Sequence, residues 1–295
     1  MARSRFRRRA LSPISVTPTL LTLANLVCGF AAIHFASQPV SISPFFEWST
    51  LTLAGALVFL GMFFDAIDGS VARLTRSTSD LGAQLDSLCD MVTFGVAPAY
   101  LMLRLVAYYY IGDSAESSLV VVGPAVDSIY GKGVWAIAAF YICCAALRLA
   151  RFNIEVGSHD ESAHRTFRGL PTPGAAGAVA SLIVLHQHLL FTKDASESLA
   201  IARTTALVLP IITLLGGMAM VSSIPYPHIV NRYMRQKRDF GSLVRIVLPV
   251  IAAIWFLQAT LAIFCTAYAL SGPFRLASIH MRNRPRKKTH GPSKP

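Results

Sequence analysis

Four aspartates carry the most chemistry in this chain of 295 residues. Asp65 to Arg73 reads D-A-I-D-G-S-V-A-R, eight residues follow, and Gly82 to Asp90 reads G-A-Q-L-D-S-L-C-D. Asp65 and Asp68 are three apart, and Gly82, Asp86 and Asp90 are four apart, so on helices each set lines one face. A loop from Leu74 to Asp80 is short enough to turn the two helices back on one another. One ionised carboxylate deep in a bilayer costs about 2.5 to 3.5 kcal/mol, and two at ~4 Å repel by about 4 kcal/mol at an effective dielectric near 20. Arg73 brings a single positive charge. Divalent cations held by hard oxygen ligands are therefore the natural neutraliser, and Mg²⁺ or Mn²⁺ suits carboxylates that also meet phosphate. Acids that merely reach for the membrane interface would account for one or two aspartates, not four. Gly69, Ala72 and Gly82 leave room for a ligand pressed against the backbone; for any one of them singly, helix packing is the alternative.

The elements that must hold these residues are membrane helices. Hydrophobic residues make up 54% of the chain and charged ones 14%, with a mean hydropathy of +0.52, which excludes a water-facing globule of this length. Apolar runs long enough to cross the hydrocarbon layer are expected at Pro18 to Ala36, Phe45 to Phe64, Leu81 to Leu103, Val134 to Ala150, Thr172 to Phe191 and Ala200 to Ser222. Thr17 and Pro18 are placed to cap and open the first. The fold class expected is all-α, a polytopic transmembrane bundle. The net charge of +12 belongs to topology and anionic lipid, not to nucleic acid. Five cysteines in or beside apolar runs form neither a disulfide framework nor a zinc-ligand pattern.

Basic residues orient the bundle. Arg3, Arg5, Arg7, Arg8 and Arg9 precede the first span with no acid before Glu47, which puts the N-terminus in the cytoplasm. Successive crossings leave Arg73, Arg76, the segment Arg148 to Arg168 and the segment Arg232 to Arg245 on that side. Seven basic residues without an acid between Arg275 and Lys294 belong there too, so the number of crossings is even. Leu243 to Leu270 is then a compact hairpin turning near Gln258, giving eight spans; one long tilted helix with an external tail is the alternative. The organisation expected is a basic N-terminal segment (1–16), a transmembrane core (17–224), a cytoplasmic loop with the hairpin (225–272), and a disordered basic tail (273–295).

The pattern D-x-x-D-G-x-x-A-R, a spacer, then G-x-x-x-D-x-x-x-D resembles the signature of the CDP-alcohol phosphatidyltransferase family at every fixed position. The resemblance implies that Asp65, Asp68, Asp86 and Asp90 ligate two divalent metals. It also implies that Gly69, Ala72, Arg73 and Gly82 surround the cytidine diphosphate, and that Asp90 is the general base. Members of the family move a phosphatidyl group from a CDP-linked lipid to an alcohol, release CMP, and are expected to be homodimers. L-R-L-A-R-F-N from Leu147, G-L-P-T-P from Gly169, M-V-S-S-I-P-Y-P from Met220 and the first span are similar to the phosphatidylserine synthase branch. The substrates implied are CDP-diacylglycerol and L-serine. Thr19 departs from that branch, which commonly has Asn after the proline, and the C-terminal hairpin is shortened.

Serine presents an ammonium, a carboxylate and the attacking hydroxyl. Arg148 and Arg151, one turn apart, suit its carboxylate or a donor phosphate, with positive-inside anchoring as the alternative. Asn153 and Arg168 are further acceptor candidates. Thr22 and Asn25 are expected in the nucleotide pocket, or else in interhelical hydrogen bonds. His34, His186 and His188 are expected at the far interface, with Trp48, Trp135 and Tyr108 to Tyr110 in an aromatic belt; Gly174 and Gly177 are expected to serve helix packing. Glycerol 3-phosphate or inositol phosphate as acceptor would demand more cationic groups. A cation transporter using the four aspartates would carry them near the bilayer midplane and not at its rim. A bacterial cytoplasmic membrane is the location expected.

Overall fold

In a computed structural model, the chain is described over residues 13–42, 48–74, 80–111, 123, 128–157, 169–192, 195–224, 226 and 255–282, and among these it is all-helical. The helices are α1 (Pro13–Ser37), α2 (Thr50–Leu74), α3 (Asp80–Asp90), α4 (Ala97–Val106), α5 (Ile129–Gly157), α6 (Thr172–Thr192), α7 (Ala195–Val221) and α8 (Leu257–Arg282). A π-helical segment, Met91–Val96, joins α3 to α4 in one continuous rod, and a second, Ala107–Ile111, follows α4. Six stretches are long and apolar enough to cross a membrane: Pro18–Ser37, Thr50–Val71, Leu81–Tyr109, Ile129–Ile154, Thr172–Leu190 and Arg203–Val221. The protein is an integral membrane protein. These six match the six expected spans, with altered ends.

Two of the ends differ from expectation as follows. Helix α1 is described from Pro13 onward, so Thr17 does not cap it and Pro18 lies within the helix. Helix α2 starts at Thr50, not Phe45, because Ser49 caps it: the Ser49 Oγ accepts from the Thr52 amide at 3.1 Å. At its other end α2 runs on to Leu74, nearly three turns past the apolar run, and so carries both of its aspartates on rigid helix.

Neighbouring helices alternate in direction. On α2 and α6, Gly55 lies by Val184 while Met62 lies by Gly177, and on α6 and α8, Gly174 lies by Tyr268 while Gly177 lies by Cys265. Both pairs are therefore antiparallel, and the C-terminal end of α8 shares the carboxylate end of the bundle. Gly174 and Gly177 serve packing, as expected: a Cβ at Gly174 would stand 2.8 Å from the Tyr268 ring. Helix α8 continues to Arg282, so residues 273–282 are helical where a disordered tail was expected. The first part of the expected hairpin falls in 227–254, outside the described residues.

At the end opposite the aspartates, buried Arg104 donates from Nε to the Ala36 carbonyl at 2.9 Å, serving the bare carbonyls at the C-terminus of α1. His34 and His188 are exposed there, but His186 is only 1% exposed and is no interface residue. It is packed inside the bundle instead: Gln187 Nε2 lies 3.2 Å from His186 Nδ1 and the Tyr109 ring from the second π segment meets the imidazole edge-on at 4.7 Å, while Nε2 is buried with no hydrogen-bond partner among the described residues. Trp48 and Trp135 are exposed, as a belt requires.

Candidate active site

Helices α2 and α3 bring three of the four aspartates together. Carboxylate oxygens of Asp65, Asp68 and Asp86 all lie within 4.8 Å of one another. Asp68 is buried, and Asp65 and Asp86 are half-buried. Asp86 Oδ1 is shut away from solvent with no hydrogen-bond partner among the described residues. An unpaired acceptor beside two like charges is unfavourable by itself. A divalent cation seated among the three would satisfy the orphaned oxygen and offset the repulsion, so the residues fit a hard metal ion. Asp90 lies outside this group. It is buried, 7% exposed, one turn above Asp86 and within electrostatic reach of Asp65 and Asp86.

Helix α1 closes the third side. Thr22 donates its hydroxyl to Asp68 Oδ2 at 2.8 Å, and Asn25 donates its side-chain amide to Asp90 Oδ1 at 2.9 Å. The two polar residues expected in the nucleotide pocket thus have their side chains engaged with the carboxylates. They are three apart, about one turn of α1, so that Thr22 reaches α2 and Asn25 reaches α3.

The rod carrying Asp86 and Asp90 changes pitch directly after Asp90. In the π segment the Thr93 hydroxyl donates to the Asn25 carbonyl at 2.9 Å, and Tyr141 of α5 donates to the Phe94 carbonyl at 3.1 Å. The wider turn frees a main-chain acceptor, and a fully buried tyrosine answers it. Thr93, Tyr141 and the π segment escaped the sequence reading. Only a lone threonine in an apolar run, with Gly95 two residues on, hinted at them.

Gly69 is exposed, and a Cβ placed there would meet nothing within 4 Å, so open space and not helix packing adjoins Asp68. Gly82 is half-buried on the first turn of α3. Ala72 and Arg73 lie on α2, their side chains outside the described residues, as is the whole of Arg168. On α5, Arg148 is half-buried and Arg151 exposed. Asn153 is joined to the site by a link the sequence did not reveal: Ser87, beside Asp86, donates to Asn153 Oδ1 at 3.0 Å.

Two of the motifs distant in sequence meet. Gly169, at φ +91°, donates its amide to the Ile224 carbonyl at 2.8 Å, and Leu170 donates to the Ala219 carbonyl at 2.9 Å. A side chain at Gly169 would be strained by that φ and would run into the carbonyls of Met220 and Ser222. Tyr226 then donates to the Ala269 carbonyl at 3.1 Å and tilts against Tyr268 at 6.0 Å, fastening α8 to the same end.

The family model described as CDP-alcohol phosphatidyltransferase matches residues 15–216. A Helicobacter pylori protein named CDP-diacylglycerol–serine O-phosphatidyltransferase is 32% identical over 218 residues, 74% of each chain. A protein of the same name from Methanocaldococcus jannaschii is 34% identical over 212 residues, covering 72% of this chain and 74% of its own. One from Bacillus subtilis is 32% identical over 173 residues, covering 59% and 78%.

Proposed function

The chain belongs to the CDP-alcohol phosphatidyltransferase family, and on that premise we propose that it is an integral-membrane phosphatidylserine synthase of phospholipid biosynthesis. It transfers the phosphatidyl group of CDP-diacylglycerol to the hydroxyl of L-serine and releases CMP. The observation that carries the reading is the three-carboxylate group beside a fourth, separately held aspartate, at the end of helices that reach from lipid to water. Such a place suits a donor whose acyl tails stay in the bilayer and whose nucleotide stays in solution.

The residues divide the work. Asp65, Asp68 and Asp86, with Asp90 beside them, would hold two divalent cations, Mg²⁺ or Mn²⁺. When bound, these supply charge stabilisation to the pyrophosphate. Open space at Gly69, with Ala72, Arg73 and Gly82 near it in sequence, supports a cytidine diphosphate lying against the backbone there. An alcohol is a poor nucleophile until its proton is removed, and Asp90 is the group that accepts it. As the serine oxygen bonds to the phosphorus bearing diacylglycerol, the bond from that phosphorus to the CMP oxygen breaks. The electron pair leaves with CMP, and the proton remains on Asp90. Arg148, Arg151, Asn153 and Arg168 hold the acceptor, Asn153 being tied to the site through Ser87.

We further place the active site at the cytoplasmic face of a bacterial inner membrane. Eight spans, both termini inside and a homodimeric assembly complete the proposal. The antiparallel course of α8 along α6 supports an extra crossing between α7 and α8. The experiment that tests the function offers radiolabelled CDP-diacylglycerol with serine, glycerol 3-phosphate or inositol phosphate in turn. Labelled phosphatidylserine is expected with serine; product with another alcohol and none with serine overturns the assignment.

A further inference from the structure

Helix α1 contributes no carboxylate, yet two of its side chains end on the aspartates. Asn25 is fully buried, and its amide reaches Asp90 Oδ1 at 2.9 Å. An ionised carboxylate has no proton to give, so the amide can face it only with the NH₂ group. Asn25 Oδ1 is correspondingly left buried with no partner among the described residues. The backbone beneath is pinned as well: Thr93 donates its hydroxyl to the Asn25 carbonyl at 2.9 Å. The space around it is closed by Gly61, where a Cβ would stand 2.9 Å from Asn25 Oδ1 and 2.6 Å from Thr93 Cγ2. A buried asparagine with an unsatisfied oxygen is an expensive way to join two helices. It is a suitable way to orient a carboxylate without neutralising it, because a neutral donor fixes one oxygen and leaves the charge available to a proton.

We infer that Asn25 is a positioning residue for the proton-accepting step, engaging Asp90 Oδ1 so that Oδ2 faces the acceptor hydroxyl, and that Thr22 likewise orients Asp68 toward the cation. The inference rests on the reading of Asp90 as general base and deepens it. It assigns both residues to the catalytic carboxylates and not to the nucleotide. Orientation set before substrate arrives lowers the barrier of each turnover and leaves donor binding unaltered, since the same contact exists in the free protein.

The two assignments separate in kinetics. Full-length enzyme in mixed micelles carries Asn25→Ala, Asn25→Leu or Thr22→Val; kcat, KM for CDP-diacylglycerol, lipid binding without serine, and Mn²⁺ binding by electron paramagnetic resonance are measured. For both Asn25 variants kcat is expected to fall about 10- to 100-fold, with KM for the donor and Mn²⁺ binding within about twofold of wild type. For Thr22→Val, Mn²⁺ binding is expected to weaken about threefold to tenfold. A raised donor KM with kcat preserved in the Asn25 variants returns these residues to the nucleotide pocket and overturns the inference. If neither Asn25 variant folds, Thr93→Val carries the test. A severalfold drop in kcat at constant KM upholds the inference, and unchanged kcat overturns it. Asp90→Asn separates the two levels. Full activity there removes the general base itself, whereas an inactive Asp90→Asn beside fully active Asn25 variants removes the positioning role alone.

Discussion

Replacing Asp86 by Asn should make the metal-free protein more stable and the metal-bound protein less so. Oxygens of Asp65, Asp68 and Asp86 lie within 4.8 Å of one another. Two charges at that distance repel by about 3.5 kcal/mol at an effective dielectric near 20. Water reaching the half-buried Asp65 and Asp86 screens this to about 1–2 kcal/mol per pair. Neutralising Asp86 removes two of the three pairs, about 2–4 kcal/mol of strain, which corresponds to several degrees in the thermal midpoint. The cation loses one charged ligand in exchange. Thermal unfolding of detergent-solubilised protein in EDTA, then with increasing Mn²⁺, reads both effects. Wild type should be stabilised by about 2.7 kcal/mol when Mn²⁺ reaches roughly a hundred times its dissociation constant, and Asp86→Asn should need much more Mn²⁺ for the same gain. If the variant melts no higher than wild type in EDTA and responds equally to Mn²⁺, the three carboxylates do not form a cation site.

Three further outcomes follow from the geometry. Asp90→Asn should retain CDP-diacylglycerol binding in an equilibrium assay while turnover drops by about 10²- to 10⁴-fold, the usual contribution of a general base; undiminished turnover refutes its role. Gly61→Ala and Gly69→Ala should part company. The first drives a Cβ to within 2.6 Å of Thr93 and should lower the thermal midpoint, at about 1–3 kcal/mol of overpacking. The second enters open space and should fold normally with a raised KM for the CDP-lipid, so an unaltered KM argues against a nucleotide at Gly69. Finally, a cysteine introduced at Ser293 should be labelled by a membrane-impermeant maleimide only in inverted vesicles; labelling in intact cells refutes the even number of crossings.

Much of the architecture was legible because a bilayer imposes a length and polarity rule on every segment inside it. Six apolar runs read as six crossing helices with altered ends, and at the start of α2 a local cap, Ser49, set the difference. The carboxylate end was legible because charge inside an apolar run is conspicuous. His186 was misjudged for the converse reason. Its polarity suggested an interface, whereas Gln187 and Tyr109 pack against its ring inside the bundle. The helical stretch 273–282 was misjudged because a basic composition says nothing of whether the helix before it continues.

The linear pattern alone determined which residues bear charge, how far apart they stand on each helix, and which family the spacing belongs to, since these depend only on residue type and helical pitch. Only the tertiary structure decided that the four aspartates divide into three and one, with Thr22 and Asn25 of α1 committed to Asp68 and Asp90. It also decided that a π segment follows Asp90 and that Ser87 ties Asn153 to the site. Those facts depend on the rotation and separation of whole helices, set by glycine contacts and buried hydrogen bonds between segments more than forty residues apart, and no local spacing encodes them.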